Sequence, residues 1–485
     1  MRFAFMTNSI DFGQAVRRVA VIGGGAAGTL SAVHLMRATG EAGLEVVLID
    51  REGEFGPGVA YGTEDPLHLL NVPAIRMGGI SGDPEHFHRW LGRAGHDVAP
   101  EDFVPRHLFG QYLRELLDRT ELEGGPLVQL ERVQGEAVAL AEPPSGGVEI
   151  ELAGGERIHA DQAVLAVGPL AAADPVPVAD EIRAAGAYVP NPWAPGALRA
   201  ASGDDSVIVI GTGLTMVDVA LSLGAAGGGP SIRALSRNGL VPRRHRPDLT
   251  SLGAFPVPED ADRLEPIAMA LLEQSGRAAA LGGDWRDAID SMRHDTPRIW
   301  RGLRLSEKRR FLAEWQRLWD VHRFRMAPRV ADGFEALRAS GRLSVEAASI
   351  LAIEPAGPRV RVTFKPAAGA GVEAIEVDRV INCSGAGANV ARSAPPLLTS
   401  LLAVGAARAD ELGLGLDVDR AGALIDASWR PSSRLHLVGC LRKGVEWEAI
   451  GITEIRDHAA AIARAALAPR PAATRERRRA APSPS

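Results

Sequence analysis

Cysteine is scarce: the 485-residue sequence holds two, Cys383 and Cys440, far apart along the chain. Their separation excludes a disulfide framework, a Cys-x-x-Cys redox centre and a cysteine zinc site; no metal is expected, and a reducing cytoplasm fits. Positive charge is not in excess, since 54 Lys and Arg face 60 Asp and Glu for a net charge of -6. The broad basic footprint of a nucleic-acid binder is therefore missing. No apolar run reaches the roughly 20 residues that cross a bilayer. The N-terminal stretch lacks the apolar core and small-residue cleavage site of a secretory signal, and residues 1–14 read as a loose extension. Neither nucleic acid nor membrane is expected as a partner. With 46% hydrophobic and 24% charged residues, the chain can bury a sizeable interior, and its length calls for two or more domains.

Glycine, by contrast, is plentiful at 54 residues, and its placement organises the chain. Residues 19–28, VAVIGGGAAG, run from a buried-strand pattern into Gly23-x-Gly25-x-x-Gly28, then into a helical pattern that begins with Ala26 and Ala27. A dinucleotide needs that order: a parallel strand, a turn lacking Cβ where pyrophosphate approaches, and a helix N-terminus with free N–H groups. A second strand-like run, EVVLIDR, ends in Asp50 and Arg51, where a carboxylate can hold a ribose hydroxyl. Residues 53–78 are too rich in glycine and proline for a long helix, and their apolar residues favour an ordered loop beside the cofactor. Helices are expected over residues 83–93, with Asp83 as N-cap, and over 106–119; a hairpin or meander is expected over 127–152. Residues 161–169 form another buried-strand pattern, closing at Gly168, and 170–203 read as a crossover between domains.

The strand–glycine–helix order returns at residues 206–220, SVIVIGTGLTMVDVA, with Gly211, Gly213, Leu214 and Thr215 at the turn and Met216 where the third glycine would stand. The next strand ends in Ser236 and Arg237 instead of an acid. A hydroxyl followed by a guanidinium suits a 2′-phosphate, hence NADPH over NADH, with a solvated surface arginine as the alternative. Residues 259–338 have helical periodicity and carry Trp285, Trp300, Trp315 and Trp319. Strand patterns resume at 344–363 and 372–377, and residues 378–385 repeat the buried strand before a glycine. A strand at 434–439 ends in Gly439, and a helix follows from about Ile452. Backbone N–H groups there can face a flavin or its ribityl chain.

The first glycine turn together with GPGVAYGTEDPLHLLNVPAIRMG, FVPRHLFGQYL, NPWAPGAL, IGTGLTMVDVALSL, LSRNGLVPRRH, WDVHRFRMAP and CLRKGVEWEAIGITEIR resembles bacterial FAD/NAD(P)-binding proteins. That group includes urate hydroxylase-like and nitrosuccinate synthase-like FAD-dependent monooxygenases. The resemblance covers nearly the whole chain outside its ends. It implies an α/β fold with two Rossmann-type dinucleotide-binding domains, related to the N-hydroxylating and Baeyer-Villiger flavin monooxygenases. On this reading residues 15–170 and 375–467 bind FAD, residues 200–374 bind NADPH and carry a helical insertion at 259–338, and 468–485 form a disordered tail. It also implies that His68, Leu70, Asn71 and Val72 lie beside the isoalloxazine, with Asn71 as the best polar contact. One departure stands out: the customary Gly-Asp end motif is Gly439-Cys440 here, so another group must replace the carboxylate.

The chemistry implied is hydride transfer from NADPH to flavin, reaction with molecular oxygen, and passage of one oxygen atom from a C4a-(hydro)peroxyflavin to a small polar substrate such as an amino acid or purine. No side-chain nucleophile is needed. Arg293, Arg323 and Arg442, with Lys443, are the candidates for holding an anionic substrate or the NADPH phosphates. The residues alone leave two other readings open: an NADPH-dependent flavin reductase or electron-transfer protein, and a non-catalytic FAD-binding sensor. Substrate identity and oligomeric state are not legible.

Overall fold

The structure is a computed structural model and describes residues 16–39, 43–198, 203–225, 229–246, 248–369 and 371–468. The N-terminal extension and nearly all of the expected tail lie outside the described residues. Arg17–Ile22 pairs in parallel with Leu44–Asp50 on one side and Gln162–Leu165 on the other. Val128–Gln134 and Pro431–Leu437 extend this sheet in parallel on its two flanks, and Ala423–Ile425 adds an antiparallel edge, giving six strands. A parallel sheet survives only with both faces covered. Here Val19, Val21, Val46 and Leu48 pack towards the helices Ala26–Ala38, Arg106–Gly124 and Ile452–Leu467. The alternate residues Ala20, Ile22, Val47 and Ile49 pack beneath a three-stranded antiparallel sheet and the helix Pro396–Ala403.

The second sheet repeats this scheme around Ser206–Ile210, which pairs in parallel with Ser231–Ser236 and with Arg379–Asn382. Leu343–Ala356 follows in parallel, and Arg359–Pro366 and Glu373–Val377 complete an antiparallel flank. The insertion is helical from Leu264–Ala280 to Pro328–Ala339 and lies between the strands Ser231–Ser236 and Leu343–Ala356.

Several boundaries differ from the sequence reading. Glu373–Val377 and Arg379–Asn382 both belong to the second sheet, so the return to the first domain comes after residue 382 and not at 375. A short apolar strand ending in glycine is compatible with either sheet, and only its partner strands decide. The crossover contributes Tyr188–Val189 to that same sheet, so the second domain starts before residue 200. Val128–Gln134 leaves the expected meander to join the first sheet, and the antiparallel unit runs from Ala137–Ala141 to Arg157–Ala160. Helix His86–Arg93 starts late, with Glu85 at its N-cap, because Asp83 is turned to an ion pair with Arg89.

Candidate active site at the two glycine turns

The first turn is packed from every side. Gly23 adopts φ 111°, and a Cβ there would stand 2.3 Å from the Ala166 carbonyl oxygen, so only glycine fits. A Cβ at Gly28 would fall 1.7 Å from the Gly23 carbonyl oxygen, which is why helix and strand can meet this closely. Gly25 is the N-cap of helix Ala26–Ala38, and Gly58 of the following loop closes over it, 3.3 Å from where its Cβ would be. The Gly24 N–H donates to Asp50 Oδ2 at 2.8 Å and the Glu52 N–H to Oδ1 at 2.9 Å. An ionised carboxylate accepts about four hydrogen bonds, so Asp50 retains capacity for a ribose hydroxyl. Arg51 is exposed and paired with Glu52. Gly439 closes the far side, its Cβ position 3.5 Å from Ala27, and Gly168 is unobstructed after the strand Gln162–Leu165. Glycine cradle, helix N-terminus and oriented acid all fit the pyrophosphate and ribose of FAD.

The second turn is open. Gly211 adopts φ 101° against the Cys383 carbonyl, whereas a Cβ at Gly213 would meet nothing within 4 Å. Leu214 and Thr215 start the following helix half-buried, and Met216 is fully buried in the core of the domain. The Ser236 hydroxyl lies 2.8 Å from Thr212 Oγ1 and accepts the Gly239 N–H at 3.0 Å, which fixes the loop after its strand. Arg237 is exposed and has no ion pair among the described residues. A guanidinium held free beside an ordered loop fits a 2′-phosphate.

The loop expected beside the flavin lies at the seam between the two domains. The Leu70 N–H donates to the Val104 carbonyl at 2.8 Å, and the Leu70 and Val72 side chains enter the first core. His68 spans the seam. Its Nδ1 lies 2.6 Å from Thr63 Oγ1 and its Nε2 lies 2.8 Å from Ser222 Oγ, on the helix of the second glycine turn. Both ring nitrogens are thus occupied, and burial holds the imidazole below its ordinary pKa. Ser222 donates in turn to Asp65, and Arg106 pairs with buried Asp218 on the same helix. Asn71 remains half-buried with no hydrogen bond to its amide among the described residues, and only its location in this seam bears on a cofactor contact. Asp218 was legible as the one acid in the apolar helix LTMVDVALSL, yet its partner, more than a hundred residues away, was not.

The cationic surplus expected in the insertion is neutralised. Arg323 donates twice to Glu448, at 2.8 and 2.7 Å, and Arg325 donates to both oxygens of Asp290. Arg293 donates to Thr453 and Glu454. Arg442 is 1% exposed and donates to Glu446 at 3.2 Å, so its guanidinium is a buried strut and not a lining group. Burial would raise the Glu446 carboxyl, but the hydrogen bond from His458 and the charges of Arg442, His458 and Arg301 outweigh it and hold it at about 2. Glu448 and Glu454, each more than a hundred residues from the arginine it pairs with, are partners that sequence reasoning did not single out. Detaching one of these arginines for a substrate would leave a buried acid unpaired, at a cost on the order of 3 kcal/mol. Around these pairs Phe311 meets Trp300 and Trp447 edge to face while the two indoles lie tilted at 38°, forming an apolar wall, and Trp300 Nε1 donates to the Gly444 carbonyl at 2.9 Å.

Residues 20–170 match the family model described as FAD-NAD(P)-binding. The matched stretch takes in the first glycine turn and Asp50. No curated protein matches the sequence significantly. Among solved structures, ornithine N-hydroxylase from Kutzneria sp. 744 is similar with TM-score 0.61 at 15% identity, over 93% of this chain and 99% of that one. L-lysine 6-monooxygenase from Pseudomonas syringae gives 0.60 at 16% identity over 92% and 98%, respectively. The FAD-bound cadaverine monooxygenase from Erwinia amylovora gives 0.59 at 11% identity over 94% and 95%. The likeness is one of fold: two Rossmann-type sheets in the same arrangement.

Proposed function

We propose that the chain is an FAD-dependent, NADPH-consuming monooxygenase acting on a small polar, amino-acid-like metabolite. The observation that carries this reading is the pairing of a packed and an open glycine turn across one seam, which suits a resident flavin and an exchangeable nicotinamide cofactor. The similar structures, hydroxylases and monooxygenases of amino acids and of a diamine, favour the same chemistry. FAD, when bound, supplies electron storage and oxygen activation. The protein's share is to fix the pyrophosphate at Gly23, Gly25 and Gly28, to read the NADPH 2′-phosphate with Ser236 and Arg237, and to keep water out with the Trp300, Trp447 and Phe311 wall. Asn71 and Gly439 are the groups of the two flanking segments assigned to the flavin side. Thiol chemistry finds no support: burial pushes Cys383 well above the usual thiol range and Cys440 up to about 11, so neither is a ready thiolate.

The resemblance to nitrosuccinate synthase-like and urate hydroxylase-like enzymes narrows the first substrates to try to acidic amino acids and purines. A metabolite panel screened for stimulated NADPH oxidation under labelled oxygen gas tests the reading. One labelled atom in the product is expected. Oxidation without incorporation would assign a reductase, and flavin content with no stimulation by any metabolite would assign a sensor.

A further inference from the structure

Five cations gather where the insertion meets the segment after Gly439, and four of them, Arg293, Arg323, Arg325 and Arg442, close on a carboxylate. Lys443 closes on none among the described residues. Its ammonium lies 4.2 Å from the centroid of the Trp447 ring, and the opposing charge that acts on it most is Asp320 of the insertion, beyond ion-pair distance. Asp320 mirrors this. Its Oδ2 accepts from Gln316 at 3.3 Å and pairs loosely with Arg317 at 3.9 Å, whereas its Oδ1 is buried with no partner among the described residues. The indole N–H of the adjacent Trp319 is also buried without an acceptor. Buried polar atoms are normally paired, and two left unpaired on adjacent residues, close to a lysine without a carboxylate, ask for a reason. Just before them the helix takes a π-helical course over Phe311–Trp315, a rotation of the helix face that often marks a functional site.

We propose that Lys443 and Asp320 are the specificity-determining pair for the polar end of the substrate, Lys443 taking an anionic group and Asp320 an ammonium or other N–H donor, with the Trp319 N–H as a second donor to the anion. Opposite charges held apart in a largely buried setting are unfavourable unless a dipolar group comes between them. Lys443 follows closely on Gly439 and Cys440, the segment packed beside the first turn, so a molecule clamped there extends towards the flavin side. The assignment rests on the proposed function for the identity of that site, but its test does not require turnover.

The FAD-loaded protein is titrated with the twenty common amino acids and, for each that binds, with its decarboxylated amine and its deaminated acid, following the flavin absorbance and the thermal midpoint. At least one amino acid is expected to bind, and both single-charge analogues at least tenfold more weakly. Lys443→Met should lower affinity for the amino acid ten- to a hundredfold and leave the amine analogue unchanged; Asp320→Asn should do the converse, sparing the acid analogue. Equal binding of the analogues, parallel losses in both variants, or no binding by any amino acid would overturn the clamp. Binding as expected without oxygen incorporation would uphold the clamp and sink the monooxygenase reading.

Discussion

The two glycine turns use one local plan and reach opposite degrees of closure. At the first, Gly58, Gly439 and the Asp50 carboxylate converge on the loop, and the third glycine brings helix and strand into contact. At the second, Gly213 faces open space and Met216 replaces the third glycine. The glycine motif alone therefore does not set how tightly a nucleotide is held. The segment that returns over it does, and the first domain has the loop after Asp50 for this purpose while the second leaves Arg237 at the surface.

The contrast is broken most severely by filling the third glycine position. Gly28→Ala forces a Cβ against a backbone carbonyl that cannot step aside, and a loss on the order of 4 kcal/mol is expected together with loss of flavin. Gly213→Ala should shift stability by less than about 0.5 kcal/mol while weakening NADPH binding. Thermal melting and the flavin spectrum of the two purified variants decide the matter; equal damage from both would mean the turns are equally packed.

A smaller effect is expected at the open turn. Arg237→Ala removes a charge-assisted contact worth about 1.5 to 3 kcal/mol, roughly ten- to a hundredfold in affinity for NADPH, and should leave NADH nearly unaffected. Steady-state kinetics with both cofactors provides the check, and an equal loss for the two would remove the 2′-phosphate role.

The smallest effect concerns pH and sharpens the comparison of the two domains as folding units. His436 in the first sheet and His245 near the seam are both held down to about 4 by burial. Below the ordinary value of 6.5 the unfolded chain takes up protons that the fold refuses, so stability declines as pH falls from 6.5 towards 4. Neither ring nitrogen of His436 has a partner among the described residues, so His436→Leu gives up no hydrogen bond seen there. The variant should gain about 1 kcal/mol at pH 5.5 and nothing near neutrality. Denaturant midpoints across that interval would show the flattening, and an unchanged pH slope would refute it.

Both nucleotide turns were legible because their logic is local: an apolar strand, glycines at fixed offsets and a helix within a single window. The acid at Asp50 and the missing acid after Ser231–Ser236 could be read in the same way. What sequence did not disclose depends on partners far along the chain. Arg379–Asn382 has the same apolar pattern whichever sheet receives it, and Arg323 looks like a free cation until Glu448 is seen to face it. The partners of His68, Thr63 nearby and Ser222 in the other domain, could not be read from its loop either. Patterns report which face of an element is apolar, and a charge's worth is set by what the fold places opposite it.

The seam has a consequence for timing. The helix that starts at the open turn is riveted at Asp218 and Ser222 to Arg106 and His68 of the first domain, with Trp193 lying over both. Any swing of the second domain that would carry a nicotinamide towards or away from the flavin has to tear a buried ion pair and a histidine clasp together. Any change in the spacing of the two turns therefore waits on the breaking of both contacts together.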